Sequence, residues 1–201
     1  MQLSGTVLFA GLAAVAMAAN PTVYLIRHGE KPPNDGTGLS PRGEQRAQCL
    51  RNVFGAASQY NIKYILAQTP KDSEFSLSLF AHDSPRSTRK DVHMLTEALD
   101  GKRARPYLTV KPLADDLGLT VDTSCDRDDE KCVQKAVDKF KGNGNILICW
   151  EHDQLNNLAE ELGAKDVANY PDEAYDLIWT QPYDYKKITA MTSERCPGLD
   201  V

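Results

Sequence analysis

The sequence predicts an α/β fold, a three-layer doubly wound domain with a mainly parallel sheet and helices on both faces. Three observations carry this. Short apolar runs rich in Val, Ile and Leu, namely Val23 to Ile26, Ile62 to Ala67 and Ile146 to Trp150, read as strands buried on both faces. Longer segments with apolar residues at helical spacing separate them, and such alternation builds parallel sheets covered by helices. Two of the runs also end in polar turns that contain histidine, Arg27-His28-Gly29-Glu30 and Glu151-His152-Asp153.

The elements follow in order. Val23 to Ile26 is the first strand. After a loop rich in Pro, Gly and Asn, Ser40-Pro41 supplies an N-cap and a proline at the first helical position, and Ala47, Leu50, Val53 and Phe54 continue at helical spacing. Ile62 to Ala67 is the second strand and runs into Gln68-Thr69-Pro70. Pro106 opens a helix with Val110, Leu113, Ala114 and Leu117 on one face, and Gly118 stands where a C-terminal cap belongs. A further helix is expected over about Asp129 to Lys141, with Val133, Ala136, Val137 and Phe140 inward and Gly142 as its stop. Ile146 to Trp150 is the most apolar strand; Leu155, Leu158, Ala159 and Leu162 form the helix after it, and Tyr175 to Trp179 is the last strand candidate.

The chain has 201 residues, enough for one ordinary domain, and its net charge of −5 provides no global basic field for nucleic acid or an anionic membrane. Val7 to Met17 is apolar or small, too short to cross a bilayer, and Ala16-Met17-Ala18 fits a small-x-small cleavage site. Residues 1–19 therefore read as a secretory signal, leaving 20–201 as a single exported domain. The n-region has no Lys or Arg, and the alternative is a cytoplasmic protein that starts at Met17. Of the five cysteines, Cys125 and Cys132 bracket a polar loop and suit a small disulfide, Cys49 and Cys196 can pair, and Cys149 reads as a buried thiol. Connectivity stays open at this level, as does the oligomeric state. Without a Cys-x-x-Cys or a paired-histidine spacing, no metal site and no cofactor are expected.

Parallel strands share one C-terminal edge, where open α/β sheets bind ligands, so His28 and His152 are expected to converge there. Imidazole and guanidinium together suit phosphate: Arg27 offers a fork of donors, and His28 can attack phosphorus or carry a proton. Arg105 sits directly before a proline-opened helix, whose N-terminus favours anions. Arg86 and Arg89 compete for the same role without the helical pattern behind them.

In this order the motifs resemble the histidine phosphatase superfamily, the phosphoglycerate-mutase-like proteins. The resemblance rests on Arg27-His28-Gly29-Glu30, on Leu39 to Ala47, on Arg105 to Val110 leading to Leu117-Gly118-Leu119, and on the strand-terminal His152. It implies a phosphoric monoester hydrolase acting on a small phosphorylated substrate through a phosphohistidine on His28, with Arg27, Arg105 and His152 around the phosphoryl oxygens. Its acid-phosphatase branch implies Asp153 as proton donor. Glu151 and Glu30 compete for that role, and a helix N-cap explains Asp153 equally well. A phosphoglycerate-mutase-type phosphotransferase and a non-catalytic phosphate-binding protein are the alternatives. The stretch at about 71–101 matches no family element and is expected to be an insertion, a surface excursion without catalytic residues, with a lid or translated intron from a faulty gene model as the alternatives.

Overall fold

A computed structural model describes residues 20–33, 36–71 and 103–200; the expected signal at 1–19, Arg86, Arg89 and nearly all of the insertion lie outside the described residues. The elements are β1 (Val23–Arg27), α1 (Pro41–Val53), β2 (Ile62–Ala67), α2 (Arg105–Leu117), β3 (Val121–Asp122), α3 (Glu130–Lys139), β4 (Asn145–Trp150), a 3₁₀ turn (His152–Gln154), α4 (Leu155–Leu162), β5 (Leu177–Gln181) and β6 (Ala190–Ser193). They form one six-stranded sheet in the order β3-β2-β4-β1-β5-β6. Pairing is parallel from β3 through β1, and β5 and β6 add antiparallel strands on the other side. Among the described residues no helix is long and apolar enough to cross a membrane.

Strand alternation divides the core in two. Ile146, Ile148 and Trp150 of β4 face one way, with Val133 and Val137 of α3 and Leu155, Leu158 and Leu162 of α4. Leu147 and Cys149 face the other way, with Leu50 of α1 and Val110, Leu113 and Ala114 of α2. The three layers follow directly. Helices α1 and α2 lie on one face as the chain moves outward from β1 to β3, and α3 and α4 lie on the other as it returns. At the neighbours β1 and β4 the chain thus leaves on opposite faces, which opens a crevice beyond their C-terminal ends.

Local chemistry accounts for the helix ends. Ser40 Oγ accepts the Gly43 N–H at 3.2 Å with proline in the first turn of α1, and Asp129 caps α3 by accepting from Cys132 N–H at 3.0 Å. Gly118 closes α2 at φ +65, a left-handed conformation that suits glycine. The helix expected to reach Lys141 instead stops at Lys139. Phe140 turns to an extended conformation and stacks on Tyr64 with centroids 5.5 Å apart, so it packs as a cap and not as another helical turn. Two strands escape the hydrophobic pattern. β3 has only two residues, and β6 is largely exposed, held by its ladder to β5. The last strand lies two residues later than expected, where its ladders to β1 and β6 begin, and the Asp172 and Ala174 carbonyls before it accept from a side chain of the site described below.

Two disulfides join Cys49 to Cys196 and Cys125 to Cys132, with Cα separations of 5.8 and 5.6 Å, and Cys149 is a buried free thiol. The first bridge ties α1 to the segment after β6, and beside it lies a buried ion cluster. Arg46, 1% exposed, donates to Glu194 at 2.6 Å, to Glu30 at 2.8 and 3.2 Å and to Asp200 at 2.9 Å. Three carboxylates around one guanidinium leave excess negative charge. The most buried of them, Glu194, carries the consequence: desolvation pushes its carboxyl up to about 8, against the pull of Arg46.

The folded state therefore holds a proton on Glu194 that the unfolded chain releases near the ordinary 4.5, and stability falls as pH rises from there through about 8. Glu194→Gln is expected to flatten that decline and to be more stable than the parent at pH above about 8. Thermal melts of both proteins across the window measure it; parallel curves would mean that Glu194 is ionised throughout.

Candidate active site

The crevice beyond β1 and β4 collects the histidines. Arg27 is level with Trp150, and His28 N–H donates to Trp150 O at 3.1 Å, so His28 stands beside Glu151 at the end of β4, one residue before His152. The loop after β1 is pressed against the start of α1. A Cβ on Gly29 would meet Gly43 Cα and O at 3.0 Å, and one on Gly43 would meet Glu30 O at 2.6 Å. Only two glycines allow that approach. From the other side Thr109 Oγ1 accepts Gly29 N–H at 2.8 Å and donates to Arg105 O at 2.8 Å, which joins α2 to the loop.

His28 is fully buried. Its Nδ1 lies 2.7 Å from Gly29 O; a carbonyl only accepts, so Nδ1 carries the proton and a neutral ring has its lone pair on Nε2. Nε2 has no hydrogen-bond partner, and the Glu151 carboxylate is 3.8 Å away. The protonated form of the ring, donating toward the carboxylate from Nε2, holds the Glu151 carboxyl down at about 2, against its own desolvation and with help from Lys31 and Arg105; the neutral ring, with a lone pair there, gives no such pull. Glu151 is thus ionised at neutral pH.

The remaining predicted residues divide into near and far. Arg27, 3% exposed, donates through Nη1 to Asp172 O at 2.6 Å and Ala174 O at 2.7 Å, and its guanidinium lies 3.8 Å above the Tyr175 ring; its Nε is buried without a partner. His152 Nε2 is 3.2 Å from Asp172 Oδ1, and its buried Nδ1 has no partner. Burial, and then Arg27, pull the His152 ring below its ordinary value and favour the neutral form. Arg105 bonds Gly38 O at 3.1 Å and Gly36 O at 3.0 Å, clamping the loop that follows β1. Asp153 lies outward: its side chain is half exposed and ion-paired with Arg127, and it makes no cap to α4. Glu30 is bound to Arg46 and so is not a free acid.

Sequence reasoning passed over several contributors. Thr109 lies within Arg105 to Val110 with no chemical signal of its own, and Tyr175, expected in the last strand, instead underlies Arg27. Gln68, directly after β2, is fully buried, accepts Glu151 N–H at 3.2 Å, and leaves Nε2 without a partner. Its signal was a polar residue at the end of an apolar strand, on the edge that carries both histidines.

Loss of the Glu151 charge has a readable cost. A carboxyl held at about 2 when folded, against 4.5 ordinarily, contributes stability that is complete above 4.5 and is lost as pH falls toward 2. Glu151→Gln should accordingly show a shallower acid unfolding curve than the parent between those limits. Equal slopes by circular dichroism would show that the contact to His28 does not hold the charge.

No protein-family model and no curated protein sequence matches the chain. Among solved structures, one assigned as the phosphohistidine phosphatase SixA from Agrobacterium tumefaciens superposes with a TM-score of 0.52 at 12% identity, covering 87% of this chain and 98% of that one. The protein histidine phosphatase SixA complexed with tungstate gives 0.51 at 13% identity, over 86% of this chain and 97% of that one. At such identities the likeness speaks for the fold, and the chain has the phosphoglycerate-mutase-like α/β fold of these phosphatases.

Proposed function

We propose that the protein is a phosphatase hydrolysing a small phosphomonoester through a phosphohistidine on His28. The observation that carries this reading is the state of His28: a buried imidazole with its proton fixed on Nδ1 and a partnerless Nε2. Buried polar atoms are nearly always paired. Yet among the described residues four of the eight buried side-chain N and O atoms lacking a partner belong to Arg27, His28, Gln68 and His152, at the ends of β1, β2 and β4. Atoms at one crevice that still need hydrogen bonds suit an oxyanion, and one of the structural neighbours is a complex with tungstate.

In this reading Nε2 attacks phosphorus while the bond to the leaving oxygen breaks, with Arg27, Arg105 and His152 stabilising the phosphoryl charge. Glu151 is the carboxyl nearest Nε2 and is assigned as the acid. It is ionised before substrate arrives, and a phosphoryl dianion beside it raises its affinity for a proton, so binding brings the proton that the leaving oxygen then takes. Water next attacks the phosphohistidine and gives its proton to Glu151 as the P–N bond breaks, releasing phosphate. For Asp153 to be the donor, it would first have to leave Arg127.

The ionised Glu151 against His28 also favours a second reading, an oxyanion-binding protein without turnover. An acid-labile phosphoprotein that forms once and is not hydrolysed would select it. Secretion is proposed as well, supported by the two disulfides, which persist in oxidising compartments.

Two variants test the proposal against a panel of phosphomonoesters. His28→Ala should lower turnover by about a thousandfold or more with the fold intact, since it removes the nucleophile from a scaffold held by other contacts. Arg105→Ala should weaken vanadate binding by about thirtyfold, on the order of 2 kcal/mol, by removing a cation and releasing Gly36 and Gly38. Parent-level turnover in the His28 variant would refute the mechanism.

A further inference from the structure

We propose that Gln68 is a phosphoryl-binding residue, donating from Nε2 to an oxygen of the bound group. This rests on the reading of His28 as a phosphoryl acceptor. Gln68 follows the last residue of β2, and β2 runs parallel to β4 with Ala67 level with Cys149. Its side chain therefore lies at the strand ends beside Trp150 and Glu151, while His28 flanks the same two residues from β1.

The amide is oriented by its one contact. Glu151 N–H can only donate, so the atom 3.2 Å from it is the carbonyl oxygen, and what remains of Gln68 is a pure donor. That donor belongs to a fully buried side chain and has no partner among the described residues. Two carbonyls of the neighbouring loop are already engaged as acceptors, Cys125 O by Thr69 N–H at 2.8 Å and Thr123 O by the Thr69 hydroxyl at 2.7 Å. A buried donor of this kind calls for an acceptor oxygen, and the nearest chemistry that supplies several is a phosphoryl group held at His28. The same side chain holds the backbone of Glu151, so one residue links the proposed acid to the phosphoryl group whose leaving oxygen it protonates.

The test uses the full chain with tungstate as probe and p-nitrophenyl phosphate as substrate. Gln68→Met removes both ends of the amide at similar volume. Gln68→Glu keeps the acceptor for Glu151 N–H and replaces the donor by a negative charge. If Gln68 binds the phosphoryl group, tungstate affinity falls about tenfold or more in the Met variant and further in the Glu variant, with KM rising in step. Tungstate affinity within threefold of the parent in the Glu variant would reduce Gln68 to a brace for the Glu151 backbone and overturn the proposal. Failure of the parent itself to bind tungstate would instead overturn the reading of His28. Should the variants not fold, the parent suffices: the Gln68 side-chain amide resonance in an ¹⁵N spectrum should shift and gain protection from exchange when tungstate is added. An unmoved resonance beside shifted His28 signals would exclude it as a ligand.

Discussion

The site depends on the parallel pairing of β1 with β4. Those strands are distant in sequence, yet their register sets Arg27 level with Trp150 and brings His28 N–H onto Trp150 O. A slip of one residue would turn His28 to the opposite face and separate it from Glu151. The register is itself protected by the core, since β4 alternates Ile146, Ile148 and Trp150 on one face with Leu147 and Cys149 on the other, and a slip would exchange the two sets. Packing that has no catalytic content thus fixes the geometry on which the chemistry would run.

Arginines do structural work around this pairing as well as supplying charge. Arg27 and Arg105 each donate to two backbone carbonyls, the first to Asp172 and Ala174 and the second to Gly36 and Gly38. A guanidinium is suited to this because its donors are coplanar and point along fixed directions, so part of the fork can hold a loop while another part stays available. Lysine offers no such division. Both loops gathered this way border the crevice, which makes them preorganised at the expense of some of the donors an anion would otherwise use.

Much of this was legible in the residues. Apolar runs of five or six and capped amphipathic helices are strong local signals, and a parallel sheet forces its strand ends onto one edge, so His28 arriving beside Trp150 and Glu151 followed from topology. The helix start at Arg105 was recognisable because Pro106 follows it. What could not be read depends on contacts between distant backbone atoms. β6 is exposed and exists through its ladder to β5, β3 has two residues, and the start of β5 is set by its ladders to β1 and β6. The partition of carboxylates was equally hidden: whether Glu30, Glu151 or Asp153 is free depends on where Arg46 and Arg127 lie, and both choices are made in three dimensions.

Arg46 joins Glu30, two residues after His28, to Glu194, which lies 148 residues beyond Arg46 along the chain. The Cys49–Cys196 bridge spans nearly the same interval. On a ribosome the loop carrying His28 emerges early, but the carboxylate and the thiol that brace α1 behind it are made only after the whole sheet through β6. The order of synthesis is therefore opposite to the order of dependence. The loop that carries His28 is the first part of the crevice to be made and among the last to be locked, and a product truncated before Glu194 would contain every residue of the crevice while lacking the brace beneath it.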